Sequence, residues 1–109
     1  MLVTPIDKMS KYDVERLKRF DSLNNFQKKQ LIIAIGLHQR DYIATMLGYS
    51  APYMGYKWID WSKKNIPIIY QLFTSKIDLR PNEEELNKYF YEAEAEIAEI
   101  KGQQKLFEY

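Results

Sequence analysis

Residues 42–61, YIATMLGYSAPYMGYKWIDW, place a glycine between two stretches of helical periodicity, which restricts the centre of the chain to a helix, a turn and a second helix. On the first helix Ile43, Ala44 and Leu47 form an apolar stripe, with small Ala44 where two helices can cross closely. Gly48 supplies the positive φ that ends a helix without a Cβ penalty. Ser50 is the expected N-cap of the second helix, and Pro52 suits a first turn, where a missing N–H costs little. Ala51, Met54, Trp58 and Trp61 recur at helical spacing and predict one buried face. At about 100° per residue, Tyr53, Tyr56, Lys57, Asp60, Lys63 and Lys64 fall on the other side. A helix braced by tryptophans and showing tyrosine and lysine outward has the makeup of one that enters a major groove.

The rest of the chain reads as helix too. Ser10 and Asp13 make a capping-box start, and Val14, Leu17 and Phe20 continue at helical spacing to Leu23. Asn24 or Asn25 caps a second helix that turns Phe26, Leu31, Ile32 and Ile35 inward and has Gly36 near its end. Asn65-Ile66-Pro67 closes the tryptophan helix and opens a fifth, carrying Ile68, Ile69, Leu72 and Phe73. The β-branched IPII run is too short, and lacks an alternating partner, to count as a strand. Residues 76–80 are a linker, after which Pro81 or Asn82 starts the last helix, with Glu83, Glu84 and Glu85 at its positive end. The expectation is an all-α fold: a helical unit over 1–80 containing the helix-turn-helix, and an acidic amphipathic helix and tail over 81–109 that packs on that unit or dimerises it.

A chain of 109 residues is long enough for one core and too short for two. Without cysteine, disulfides and thiolate metal sites are excluded. No apolar run approaches the roughly 18 residues that span a bilayer, and LIIAIGL (31–37) reads as a core helix. The start MLVTPIDKMSKYD lacks the charged region and apolar stretch of a signal peptide, so the expected compartment is cytoplasmic, away from membranes. The net charge of +1 conceals an asymmetry: 13 Lys/Arg against 7 Asp/Glu through Arg80, then 3 Lys against 8 Glu. A basic head with an acidic tail suits a nucleic-acid surface followed by an assembly element; an ordinary solvated surface with segregated charge is the competing explanation.

On the last helix Leu86, Phe90, Ala93, Ile97 and Ile100 follow a heptad spacing, with Glu92, Glu94, Glu96 and Glu99 between them. This seam either packs on its own domain or forms a homodimer that presents two reading helices to two half-sites.

GLHQRDYIATMLGYS (36–50) resembles the helix-turn-helix of the Cro/CI-like phage-repressor family, whose pattern runs G-L-x-Q, then A-x-x-x-G, then S. Ala44 and Gly48 match the family's small residue and turn glycine, and Met54 its buried position six residues on. Gln39 lies one residue too far from Ala44, which leaves Arg40 where the family has a phosphate-contacting glutamine, and Lys57 stands one residue before Trp58 at a later buried position. The GYS and following helix also resemble the DNA-binding domain of phage small-terminase subunits. Either resemblance implies binding of double-stranded DNA without catalysis, as in a transcriptional regulator of phage or mobile-element type. Arg40, Ser50, Tyr53, Tyr56, Lys57, Lys63 and Lys64 are then the candidate DNA-contacting residues.

The tail Gln103-Gln104-Lys105-Leu106-Phe107 resembles the Q-x-x-L-F peptide that docks bacterial replication and repair proteins on the sliding clamp. In that mode an extended segment, released from the helix by Gly102, places Leu106 and Phe107 in an apolar pocket while Gln103 bonds at its rim. With Leu86, Phe90, Ile97 and Ile100 these are the candidate partner-binding residues. They belong to the alternative function, a non-enzymatic protein-binding module such as a phage-encoded inhibitor or adaptor of a host replication or defence protein. Tyr53, Tyr56, Tyr89 and Tyr91 would serve that surface as well, because tyrosine is enriched at interfaces.

Catalysis is not expected. The single histidine, His38, has Asp41 three residues on and no second imidazole, so it reads as a surface or capping residue. Glu83, Glu84 and Glu85 answer the helix dipole more readily than they hold a cation. The chain has no glycine-rich phosphate loop and no nucleophile elbow, and no cofactor or metal is implied.

Overall fold

The computed structural model describes residues 10–107, with side chains described for 10–102. Six α-helices follow one another: α1 (Lys11–Asp21), α2 (Asn25–Gly36), α3 (Arg40–Met46), α4 (Met54–Asn65), α5 (Pro67–Ser75) and α6 (Glu83–Phe107). No strand occurs among the described residues. The all-α expectation holds, and IPII opens α5 with Pro67 in its first turn.

Local capping explains three of the starts. Ser10 Oγ accepts the Asp13 N–H at 3.2 Å while Asp13 Oδ2 accepts the Ser10 N–H at 3.3 Å, closing the capping box of α1. Asn24 and Gln27 do the same for α2 at 2.8 and 2.9 Å. Asn82 Oδ1 takes the Glu85 N–H at 3.1 Å at the start of α6, and each such cap contributes about 1 kcal/mol. The inner helices α3, α4 and α5 have no N-cap side chain of their own. Their position comes from neighbours.

For α5 the neighbour is α6, whose Glu96 Oε1 accepts the Ile68 N–H at 3.1 Å. Burial pushes the Glu96 carboxyl above the usual range; the Ile68 bond opposes this, and Glu92 and Glu99 add to it. A carboxyl raised on folding contributes stability below its unfolded value, about 4.3, and loses it as pH rises through the folded value. Glu96→Gln keeps an acceptor for Ile68 without the charge. Its melting temperature is expected above the parent's at pH 7 and level with it near pH 4; a lower value at pH 7 would show that the carboxylate's attraction to the α5 terminus outweighs its burial.

Two helices end in the same hydrogen-bond pattern with different residues. After α3, the N–H groups of Gly48 (φ +79°) and Tyr49 reach Thr45 O and Ala44 O at 3.0 and 2.9 Å, the Schellman arrangement anticipated from the glycine. After α2 the left-handed position is His38, φ +58°, with its N–H on Ile35 O and that of Gln39 on Ala34 O. The non-glycine strain is offset by the ring, which stacks on Phe73 with centroids 3.9 Å apart and sets Nε2 2.5 Å from Phe73 O. His38 is therefore a half-buried helix terminator that ties α2 to α5.

The core lies where α2, α5 and α6 meet, with the α4 tryptophans completing it against α1. Phe90, Ala93, Ile97 and Ile100 are buried and Leu86 half-buried within this one chain. That corrects the homodimer seam. Burying each of Phe90, Ile97 and Ile100 contributes about 1.5–3 kcal/mol, so releasing them to a second copy would dismantle the domain. Lys28, 5% exposed, fastens the same junction, with Nζ 2.7 Å from Glu94 and 3.6 Å from Asp21.

Other expectations fail locally. Phe26 is 71% exposed rather than inward, because it belongs to the first turn of α2 and precedes the region where that helix is covered. Tyr89 is buried, unlike Tyr91. α1 stops at Asp21, not Leu23. The backbone of α6 continues helically through Gly102 to Phe107, not as an extended tail. The side chains of Gln103, Leu106 and Phe107 lie outside the described residues.

Candidate nucleic-acid interface

The connection from α3 to α4 spans residues 47–53, seven positions, against the three or four of a DNA-reading helix-turn-helix. Its extra length moves the start of α4. Met54 and Gly55 donate to Ala51 O and Pro52 O at 3.0 and 3.1 Å, a separate tight turn before the α-helical ladder begins. Ser50 is thus exposed on the connection and is not the N-cap; Tyr53 occupies that place, without a side-chain cap bond. Ala51 and Met54 are half-buried edges of a stripe whose centre is Trp58 and Trp61.

Three contacts fix how α4 is presented. Trp58, fully buried, stacks on Phe20 at 5.9 Å and donates its indole N–H to Arg16 O at 3.0 Å. Trp61 donates to Asp13 Oδ1 at 2.8 Å. Gly55 lies against α3 so closely that a Cβ there would stand 2.6 Å from Arg40 O and 3.1 Å from Ala44 N. Ala44 is the small residue at this crossing, as its size suggested, but Gly55 permits the approach. A glycine inside a helical pattern was the available signal for it.

Asp13 serves α1 and α4 together. Partial burial raises its pKa, but hydrogen bonds from Ser10 and Trp61 and the nearby Arg16 charge outweigh that and hold the carboxyl below the usual range. A depressed carboxylate contributes stability above its unfolded value and loses it as pH falls through the folded one. The α1–α4 brace is therefore expected to weaken below about pH 4. Asp13→Asn should flatten the acid limb of a denaturation-against-pH curve; an unchanged slope would remove Asp13 from the acid response.

A second brace comes from Arg19, which no sequence signal indicated. Its Nη1 donates to Leu47 O at 2.9 Å, its guanidinium lies 4.0 Å from the Tyr49 ring centroid, and Glu15 pairs with it at 2.6 Å. It satisfies a terminal carbonyl of α3 from the side of α1.

The opposite side of α4 faces solvent. Tyr53, Tyr56, Lys57, Asp60, Lys63 and Lys64 are all exposed and follow one another along a single stripe. Lys57 Nζ lies 5.3 Å from the Tyr53 ring centroid, and Lys63 Nζ 5.4 Å from that of Tyr70 on α5. Tyr56 is anchored: its hydroxyl donates to His38 O at 3.0 Å and its ring meets Phe73 edge-on at 5.2 Å. Arg40, at the start of α3, is exposed but pairs with Asp41 at 3.2 Å, which reduces its effective charge.

Among the described residues no group of three or more His, Asp or Glu side chains could hold a metal ion, and no helix is long and apolar enough to cross a membrane. Comparison with family models, curated proteins and solved structures finds no match for this chain.

Proposed function

We propose that the chain is a small DNA-binding protein that lays α4 into a major groove, in a regulatory role of the phage or mobile-element type that residues 36–50 resemble in sequence. One observation carries this reading: α4 and its N-cap residue Tyr53 expose three lysines and two tyrosines along one stripe, against a single aspartate, while the other side of the helix is pinned by Trp58, Trp61 and Gly55. A rigidly held helix can keep side chains in register with base edges, and lysines at its flanks meet phosphates. Lys57, Lys63 and Lys64 are the phosphate contacts, Tyr53 approaches bases, and Arg40 and Ser50 reach the backbone from α3 and the connection. With the α6 seam inside the fold, any two-fold assembly uses another surface.

The test is the salt dependence of binding to random duplex DNA. Each lost phosphate contact lowers the slope of log K against log salt by about 0.9, so Lys57→Ala with Lys63→Ala should lower it by about 1.8. Unchanged affinity and slope would remove this face as the reader.

A protein-binding module is the second reading, favoured by Phe26 and Tyr91, 71% and 64% exposed on α2 and α6, away from the α4 stripe. Absence of any duplex shift at low salt, with retained folding, would favour it.

A further inference from the structure

Beside the lysine stripe, α4 and α5 enclose a groove of about 320 Å³ lined by Tyr56, Lys57, Ile59, Asp60, Tyr70 and Phe73. That volume is near the lower end of the ~300–1,000 Å³ of small-ligand sites. The rings are held rather than loose: Phe73 is stacked by His38 at 3.9 Å, and Tyr56 is fixed through its hydroxyl and its edge contact with Phe73. Tyr70 is half-buried and carries the Lys63 ammonium 5.4 Å from its ring centroid.

Charge chooses the occupant. α5 has no charged residue from Pro67 to Ser75, so the charges that α4 and α5 bring to the groove and its edge are Lys57, Lys63 and Asp60. A cationic guest would meet two ammonium groups, each already beside a tyrosine ring. An anionic chain that carries planar rings meets both lysines with its phosphates and the tyrosines with its bases. Immobile rings interleaved with lysines are the arrangement by which proteins hold single strands without reading their sequence.

We propose that this groove binds an unpaired nucleotide of single-stranded nucleic acid, its base against Tyr70 and Tyr56 and its phosphates on Lys57 and Lys63. This rests on α4 being the nucleic-acid-facing helix and adds a second mode: duplex along the stripe, an unstacked base beside it.

The probes are a fluorescein-labelled 12-nucleotide oligothymidylate, the same length with abasic sugars throughout, and a 20-base-pair duplex, each titrated by anisotropy at low salt. Oligothymidylate should bind at least about tenfold more tightly than the abasic strand, since base–aromatic stacking is sequence-tolerant and sizeable. Tyr70→Leu should remove most of that difference and leave duplex affinity within twofold, and Tyr70→Phe should preserve it. In the unsubstituted protein, oligothymidylate should shift the Tyr70 ring resonances upfield, a readout independent of whether Tyr70→Leu folds. Equal affinity for the thymidylate and abasic strands, or no Tyr70 ring shift at saturation, overturns the groove. Duplex binding without thymidylate binding overturns the groove alone. Thymidylate binding without duplex binding supports the groove and overturns the major-groove reading of α4. No binding of either overturns both.

Discussion

Trp58→Ala is expected to lower the stability of the protein by about 3–5 kcal/mol, the cost of emptying a large aromatic site that the surroundings only partly refill. Trp58 is fully buried between Phe20 and Trp61, with ring centroids 5.9 and 5.7 Å away, and its indole N–H is satisfied by Arg16 O. Losing that much would shift the melting temperature by more than 10 °C in a domain of this size, out of a total stability of roughly 5–15 kcal/mol. Trp58→Phe separates the contributions: it keeps much of the ring but loses the N–H, which should cost about 1–2 kcal/mol. Equilibrium denaturation of both variants reads the difference. If Trp58→Ala melts within two or three degrees of the parent, α4 is not braced through this ring, and the outward stripe loses its fixed orientation too.

Gly55→Ala tests the crossing of α3 and α4, and its sign is informative. In a helix interior, propensity alone makes alanine the better residue by about 1 kcal/mol. At position 55 the new methyl would stand 2.6 Å from a backbone carbonyl of α3, which cannot swing aside as a side chain can. Overpacking of this kind costs about 1–3 kcal/mol, so the net effect should be destabilising. Because relief requires α3 and α4 to move apart, the DNA affinity proposed for α4 should fall more steeply than stability does. Denaturation and anisotropy on one sample check both. A Gly55→Ala protein more stable than its parent, with unaltered binding, would mean that the close crossing does not position α4.

Much of the central geometry was legible in the residues themselves. Periodicity separated Trp58 and Trp61 from Tyr53, Lys57, Lys63 and Lys64 because a helix has a fixed angular step. Ser10, Asn24 and Gly48 marked their ends because capping is satisfied within a few residues of the chain. The start of α4 was misplaced for the opposite reason. Ser50 and Pro52 suit a helix start in isolation, but the chain makes one tight turn first and begins the ladder at Met54.

The chain alone determined six helices, most of their ends, and which face of each carries apolar or charged groups, all of which depend on neighbours in sequence. Tertiary structure decided what covers those faces. The spacing of Phe90, Ile97 and Ile100 demands burial but does not say against what, and α2 and α5 supply it within the same molecule. Spacing places Glu96 among the acids between the apolar positions of α6, and only packing brings its carboxylate to the uncapped start of α5. Asp13, Arg19 and Gly55 fix the α3–α4 pair through contacts that span 48, 28 and 15 residues of chain: Asp13 bonds to Trp61, Arg19 to Leu47 at the end of α3, and Gly55 lies against Arg40 O. Such long-range contacts leave no periodic trace, because their geometry exists only after the helices have packed.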